Sequence, residues 1–208
     1  MAKKAFAAAA IVYFFLAAAA AAEDIGRFDV SVAWGGAFGH TSSSSPFGRV
    51  SIVSTNSPLL LATLRFRPNR MHGVALNYGS TRDSQIFMLS PDNFRVETKV
   101  TEYSVNYVFS PFHFEKLDPF VFAGAGALRF DPGNTSIDGF QSAFGAARQT
   151  SFAFLYGGGV DYVVWKRLAL RAQYRGLLYK EPNFHLQQFV TNVRGHAPAA
   201  SIGIVFRF

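Results

Sequence analysis

A chain of 208 residues with no cysteine, half of it hydrophobic and only 16% charged, is too apolar to be disordered and has neither disulfide staples nor thiolate metal sites. Its 18 glycines and 9 prolines follow no three-residue period, which excludes collagen-like and low-complexity chains. A formal charge of +7 without a concentrated Lys/Arg stripe argues against a nucleic-acid partner.

The first element in chain order is an address. Lys3 and Lys4 give a positive start, the stretch from Ala5 to Leu16 is apolar, and Ala17 to Ala22 are small residues before Glu23. Basic, apolar, then small is the order of a secretory signal peptide. The expected division is therefore a signal peptide at 1–22 and one mature domain at 23–208. The competing reading is an uncleaved anchor, because 5–22 approaches the lower limit for a spanning helix; the weak hydrophobicity of alanine and the A-x-A-like end favour cleavage. No cysteine is present to carry a lipid, and cleavage takes Lys3 and Lys4 with it, leaving a mildly basic mature chain.

Beyond Glu23 the hydrophobic period is two, the signature of strands with one apolar face. The spans are 26–37, 57–67, 70–81, 95–110, 118–131, 149–164, 167–180 and 197–208. The clearest sets Thr101, Tyr103, Val105, Tyr107 and Phe109 against Glu102, Ser104, Asn106 and Val108. Similarly, Leu168, Leu170, Ala172, Tyr174 and Leu178 alternate with Arg171, Gln173 and Arg175, and Ile202, Ile204, Phe206 and Phe208 with Ser201, Gly203, Val205 and Arg207. Eight is an even number, and each span is long enough for a tilted strand to cross a bilayer. Pro68-Asn69, Pro111 to Leu117 and Trp165-Lys166-Arg167 are short connections, whereas His40–Asn56, Arg82–Phe94, Pro132–Arg148 and Glu181–His196 are long and polar. Long and short alternate strictly. In an up-and-down meander this places every long loop at one end and every short turn, with both termini, at the other.

A soluble barrel buries its apolar face, and a membrane barrel turns that face outward. The polar face here carries Glu102, Asp161, Arg171 and Arg175 near the middle of their strands, with Gly79, Gly124, Gly126, Gly157 and Gly159 giving room for the long arginines. Two acids and two bases balance, and a narrow lumen lets them pair. Arg171 and Arg175 are predicted to meet Glu102 or Asp161 there. Tyr78, Tyr103, Tyr107, Phe109, Tyr162, Trp165, Tyr174, Tyr179, Phe206 and Phe208 fall mostly near strand ends, where interfacial aromatic girdles sit. The fold class that results is all-β, an eight-stranded antiparallel up-and-down transmembrane barrel.

The segment Asp118-Pro119-Phe120-Val121-Phe122-Ala123-Gly124-Ala125-Gly126 resembles the proline-aromatic, Gly-x-Gly strand of OmpA-like, opacity-type outer-membrane barrels. Gly157-Gly158-Gly159-Val160-Asp161-Tyr162, followed by Leu168 to Arg175, is similar to that family's next hairpin, and the resemblance extends over the whole mature chain. It implies a bacterial outer-membrane protein with periplasmic termini and extracellular long loops, and outer-membrane lipid and lipopolysaccharide as its surroundings. It also implies that the closing strand, with Phe206 and Phe208, is a signal to the barrel-assembly machinery. The peptidoglycan-binding domain that follows the barrel in OmpA itself has no counterpart here, so wall anchoring is not expected to carry over.

The remaining motifs are sparse. His40, His72, His113, His185 and His196 show no ligand spacing, with only His113-x-Glu115 near an acid, so neither a metal nor a cofactor is expected. The glycine runs precede no helix and are not phosphate loops. Asn134-Thr135-Ser136 fits a glycosylation sequon that means little in a bacterium. Arg49, Arg82, Arg148, Lys180 and Arg194, scattered among the loops, suit lipopolysaccharide. Ser151, His185 and Glu181 could approach one another at the loop end as a lipid acyl hydrolase would require, but no hydrolase signature accompanies them. The expected role is non-enzymatic surface presentation, with adhesion or binding of an extracellular or host ligand at the loops; a lipid-modifying enzyme and a narrow pore are the alternatives.

Overall fold

The computed structural model describes residues 27–38, 41–43, 51–54, 56–89, 92–137, 140–141, 147–184 and 194–208. The leader at 1–22, His40, Arg49 and His185 lie outside them. Eight strands form the wall: β1 (Phe28–Ala37), β2 (Ser57–Phe66), β3 (His72–Leu89), β4 (Asp92–Phe109), β5 (Leu117–Ile137), β6 (Gln149–Trp165), β7 (Leu168–Lys180) and β8 (Arg194–Arg207). Each pairs antiparallel with the next. Strand β8 returns to β1 with Arg207 opposite Asp29 and Ala199 opposite Ala37, so the sheet closes without an edge. Closure satisfies the strand backbones within the wall, the condition for placing a sheet in hydrocarbon.

The side-chain sorting is inside out. Trp34 and Ile202 are each 70% exposed on the outer wall, joined there by Val105, Leu170 and Ile204, whereas Arg65 is 2% and Asp161 0% exposed within. A water-soluble fold would reverse this assignment, so the wall faces lipid and the core is the lumen. Aromatic residues ring both ends. At the turn end Phe28 packs on Phe66 at 4.8 Å between ring centres and Phe206 on Phe208 at 5.0 Å; towards the loop end Tyr78 meets Tyr103 edge-on at 5.5 Å. Tyr179 departs from the expected girdle, because its parity turns it into the lumen, where it is buried against Phe130.

Three strands run further than their apolar alternation. Residues 82–89 and 92–94, expected within a loop, instead extend the pairing of β3 with β4, which stays in register from His72 opposite Phe109 to Leu89 opposite Asp92. Strand β5 continues to Ile137, where Phe140–Gln141 folds back onto it, and Ser51–Ser54 adds to β3 beside the hairpin. The reason is physical. Apolar alternation marks where a strand is bathed in lipid, while backbone pairing continues beyond it through Thr81, Arg82, Ser84 and Gln85 without any need for an apolar face.

Candidate functional site: the charged lumen and its cap

Polar parity on successive strands aims a set of charged side chains at the barrel axis. Arg65 of β2 donates from Nε to Asp29 Oδ2 and from Nη2 to Asp161 Oδ2, both at 2.6 Å. Arg171 of β7 donates from Nε to Asp161 Oδ1 at 2.7 Å and from Nη2 to Asp161 Oδ2 at 3.0 Å, and also reaches Asp29 Oδ1 and Ser31 Oγ. Arg207 holds Asp118 at 2.8 Å and touches Asp161 at 3.3 Å. Phe120 lies flat against this lattice, its ring 5.2 Å from the guanidinium carbons of both Arg65 and Arg171.

One layer further toward the loops, Arg175 pairs with Glu102 at 2.5 Å. Glu102 also accepts from Ser104 Oγ at 2.7 Å, and Asn77 and Thr63 extend the chain of hydrogen bonds. Above that pair one side of the lumen becomes apolar, while Ser57, Ser84 and Thr98 are buried on β2, β3 and β4. Val96, Val100, Leu128, Phe130, Leu155, Leu177 and Phe184 belong to one buried cluster, of which Val100, Leu128, Phe130 and Leu177 line a chamber shared with Thr81, Asp83, Arg175 and Glu102. Among the described residues the interior is therefore filled in two layers, an ion lattice toward the turns and hydrophobic packing along one side of the lumen toward the loops.

The four residues singled out from parity all lie on this axis, Arg171 on Asp161 and Arg175 on Glu102. Sequence reasoning missed Asp29, Arg65, Arg67, Asp118 and the lattice role of Arg207, which complete the lattice. A signal was present: Asp29 shares parity with Ser31 and opposes Val30 and Val32, and Arg65 continues the face of Leu61 and Thr63. An ionisable residue inside a membrane-spanning segment faces the interior by default. The glycines do a different job from the one expected of them. A Cβ at Gly157 or Gly159 would first strike the Tyr174 or Ala172 carbonyl of β7, and then the Phe122 or Phe120 ring, at 2.7 and 2.8 Å, so these glycines admit the neighbouring backbone and aromatic rings, and Gly79 admits the Glu102 carboxylate.

Ser151 is buried on β6 and Glu181 follows β7, but no hydrogen bond joins them among the described residues, and His185 lies outside that set. His72 bonds the Tyr107 hydroxyl, His113 Nε2 lies 2.8 Å from the Arg70 carbonyl and His196 Nε2 2.9 Å from the Tyr156 hydroxyl. Among the described residues no three His, Asp or Glu side chains are grouped to hold a metal ion.

A closed eight-stranded wall with lipid-facing apolar residues and a salt-bridged lumen agrees with a family-level match: the model described as outer membrane protein beta-barrel domain covers residues 6–208. The chain belongs to the outer membrane protein beta-barrel domain family. No curated protein matches it by sequence. Among solved structures, it resembles Neisserial surface protein A at 19% identity and a TM-score of 0.55, covering 89% of this chain and 100% of that one. It also resembles Ail, the attachment invasion locus protein of Yersinia pestis, at 17% identity and a TM-score of 0.50, covering 86% and 98%. At these identities the likeness carries the fold. Family and fold together place this β-barrel protein in the bacterial outer membrane.

Proposed function

We propose that the protein is a sealed, non-catalytic platform that holds its long loop-end hairpins outside the cell to contact an extracellular or host ligand. The observation that carries this reading is a lumen filled by ion pairs and packed side chains, combined with β3, β4 and β5 rising beyond the lipid-facing band. A scaffold that invests its interior in ion pairs and packing presents its outer end rigidly. Resemblance in fold to a surface protein and to an attachment invasion protein supports the same direction. In this orientation the turns and both ends of the chain are periplasmic, residues 1–22 are the signal peptide, and Phe206 and Phe208 are read by the assembly machinery. Lipopolysaccharide suits the outer wall, where Lys180 and Arg194 stand directly opposite each other, both exposed. Like charges so placed repel, and an anionic headgroup between them relieves the repulsion.

Protease shaving of intact cells with peptide mapping tests the reading. Cuts confined to 39–56, 82–94, 132–148 and 181–196 support it; cuts at 67–71, 110–116 or 166–167 invert the orientation. Acyl release from phospholipid or lipopolysaccharide by the purified protein, abolished by His185→Ala, would overturn the non-catalytic role.

A further inference from the structure

We propose that the turn end of the barrel carries a binding site for a phosphate-class anion, with Arg67 and Arg207 as its principal donors. A cup opens there between the 67–71 turn, the 110–116 connection and the end of β8, and Arg27, Arg67, Arg70, His113 and Arg207 line it. Its acids are Glu115 and Asp118, and Asp118 is already engaged by Arg207 at 2.8 Å.

Beneath the cup the charges do not balance. Arg65, Arg67, Arg171 and Arg207 share the three carboxylates Asp29, Asp118 and Asp161. Arg67 is the cation left over: it stands 3.7 Å from Asp29 Oδ2, an oxygen that already accepts Arg65 at 2.6 Å. Burial and the neighbouring Arg65 draw its pKa down to about 10, which leaves it charged at neutral pH. Arg67 is 8% exposed and Arg207 9%, and the Nε of each is buried with no hydrogen-bond partner. A buried cation with an unused N–H is costly until an acceptor and a counter-charge arrive together. A tetrahedral oxyanion supplies both, with several acceptor oxygens for guanidinium N–H groups. Exposed Arg70 on the rim adds attraction from outside.

Phosphate oxygens reach this end from two sources, free phosphate and the headgroup of a phospholipid in the adjoining leaflet. The test uses the full chain folded in phosphatidylcholine vesicles. Inorganic phosphate is titrated at constant ionic strength against chloride, read by phosphorus NMR line broadening and by the unfolding temperature in heat-modifiability gels. The expected result is saturable broadening and a rise in unfolding temperature. Arg67→Met should abolish both while raising the unfolding temperature in phosphate-free buffer, and Arg70→Gln, a rim change that leaves the lattice intact, should weaken binding several-fold. If the free anion titrates only in phosphatidylcholine and is displaced when phosphatidylglycerol is included, the resident ligand is a headgroup. If phosphatidylglycerol has no effect, it is the soluble ion. Absence of saturable binding from both lipid and free phosphate, or binding unchanged in both Arg67→Met and Arg70→Gln, overturns the site.

Discussion

Asp161 is the residue on which the lattice turns, since Arg65, Arg171 and Arg207 all reach its carboxylate. Removing that charge without changing the side chain's size leaves three buried guanidiniums under-compensated. Asp161→Asn is expected to destabilise the barrel by about 3–5 kcal/mol, measured by urea unfolding in vesicles, because breaking one side of a buried ion cluster strands the other. Glu181, just past β7, behaves in the opposite sense. Burial, and then the nearby Asp83, push its carboxyl from the usual 4.5 up to about 7, and its Oε2 has no hydrogen-bond partner. In the unfolded chain it ionises near the usual value, so between the two the folded state holds the extra proton. The advantage of burying the neutral acid is complete below the lower value and is lost as pH rises through the upper one. Glu181→Gln is therefore expected to remove a loss of stability across that window worth up to about 3 kcal/mol, seen by comparing unfolding midpoints at pH 5 and pH 8.

At the scale of the strand, parity decides which solvent a side chain meets. Leu170 is 46% exposed on the lipid face of β7, while its neighbour Arg171 is 3% exposed in the lumen. Leu170→Arg is expected to cost about 2–4 kcal/mol if the residue sits at the bilayer midplane, read from refolding titrations in lipid vesicles. The same parity made the eight strands and the inward placement of Glu102, Asp161, Arg171 and Arg175 legible in the sequence. What it could not show was length. Strand β3 runs on through Arg82, Asp83, Ser84 and Gln85 because β4 pairs with it residue for residue, a fact recorded in the partner strand and not in local hydrophobicity. Tyr179 illustrates the same limit. Its aromatic character suggested an interface, and only its register opposite Ala153, facing a cluster with Phe130 and Leu155, assigns it to the interior.

For the whole molecule, an ion-paired and packed lumen leads to an expectation about conductance. In planar bilayers the protein is expected to give no discrete conductance steps above the background of a plugged barrel, since eight strands leave an interior that side chains fill. Arg175→Ala with Glu102→Ala, which removes the layer between the ion lattice and the apolar chamber, should leave the current unchanged as long as Asp29, Arg65, Asp161 and Arg171 hold the lower seal. Openings in the native protein would show that the lattice rearranges into a pore.

By itself the sequence determined the eight-fold alternation and the polarity of each strand face, because both are local and repeat every second residue. Only the tertiary structure decided how the charges meet. Asp29 and Arg171 lie 142 positions apart, and they come together only because β8 closes onto β1 and brings β7 around the axis. Ring closure is a property of the whole sheet, so the surplus cation at Arg67 and the shared carboxylate of Asp161 exist only once the cylinder is complete.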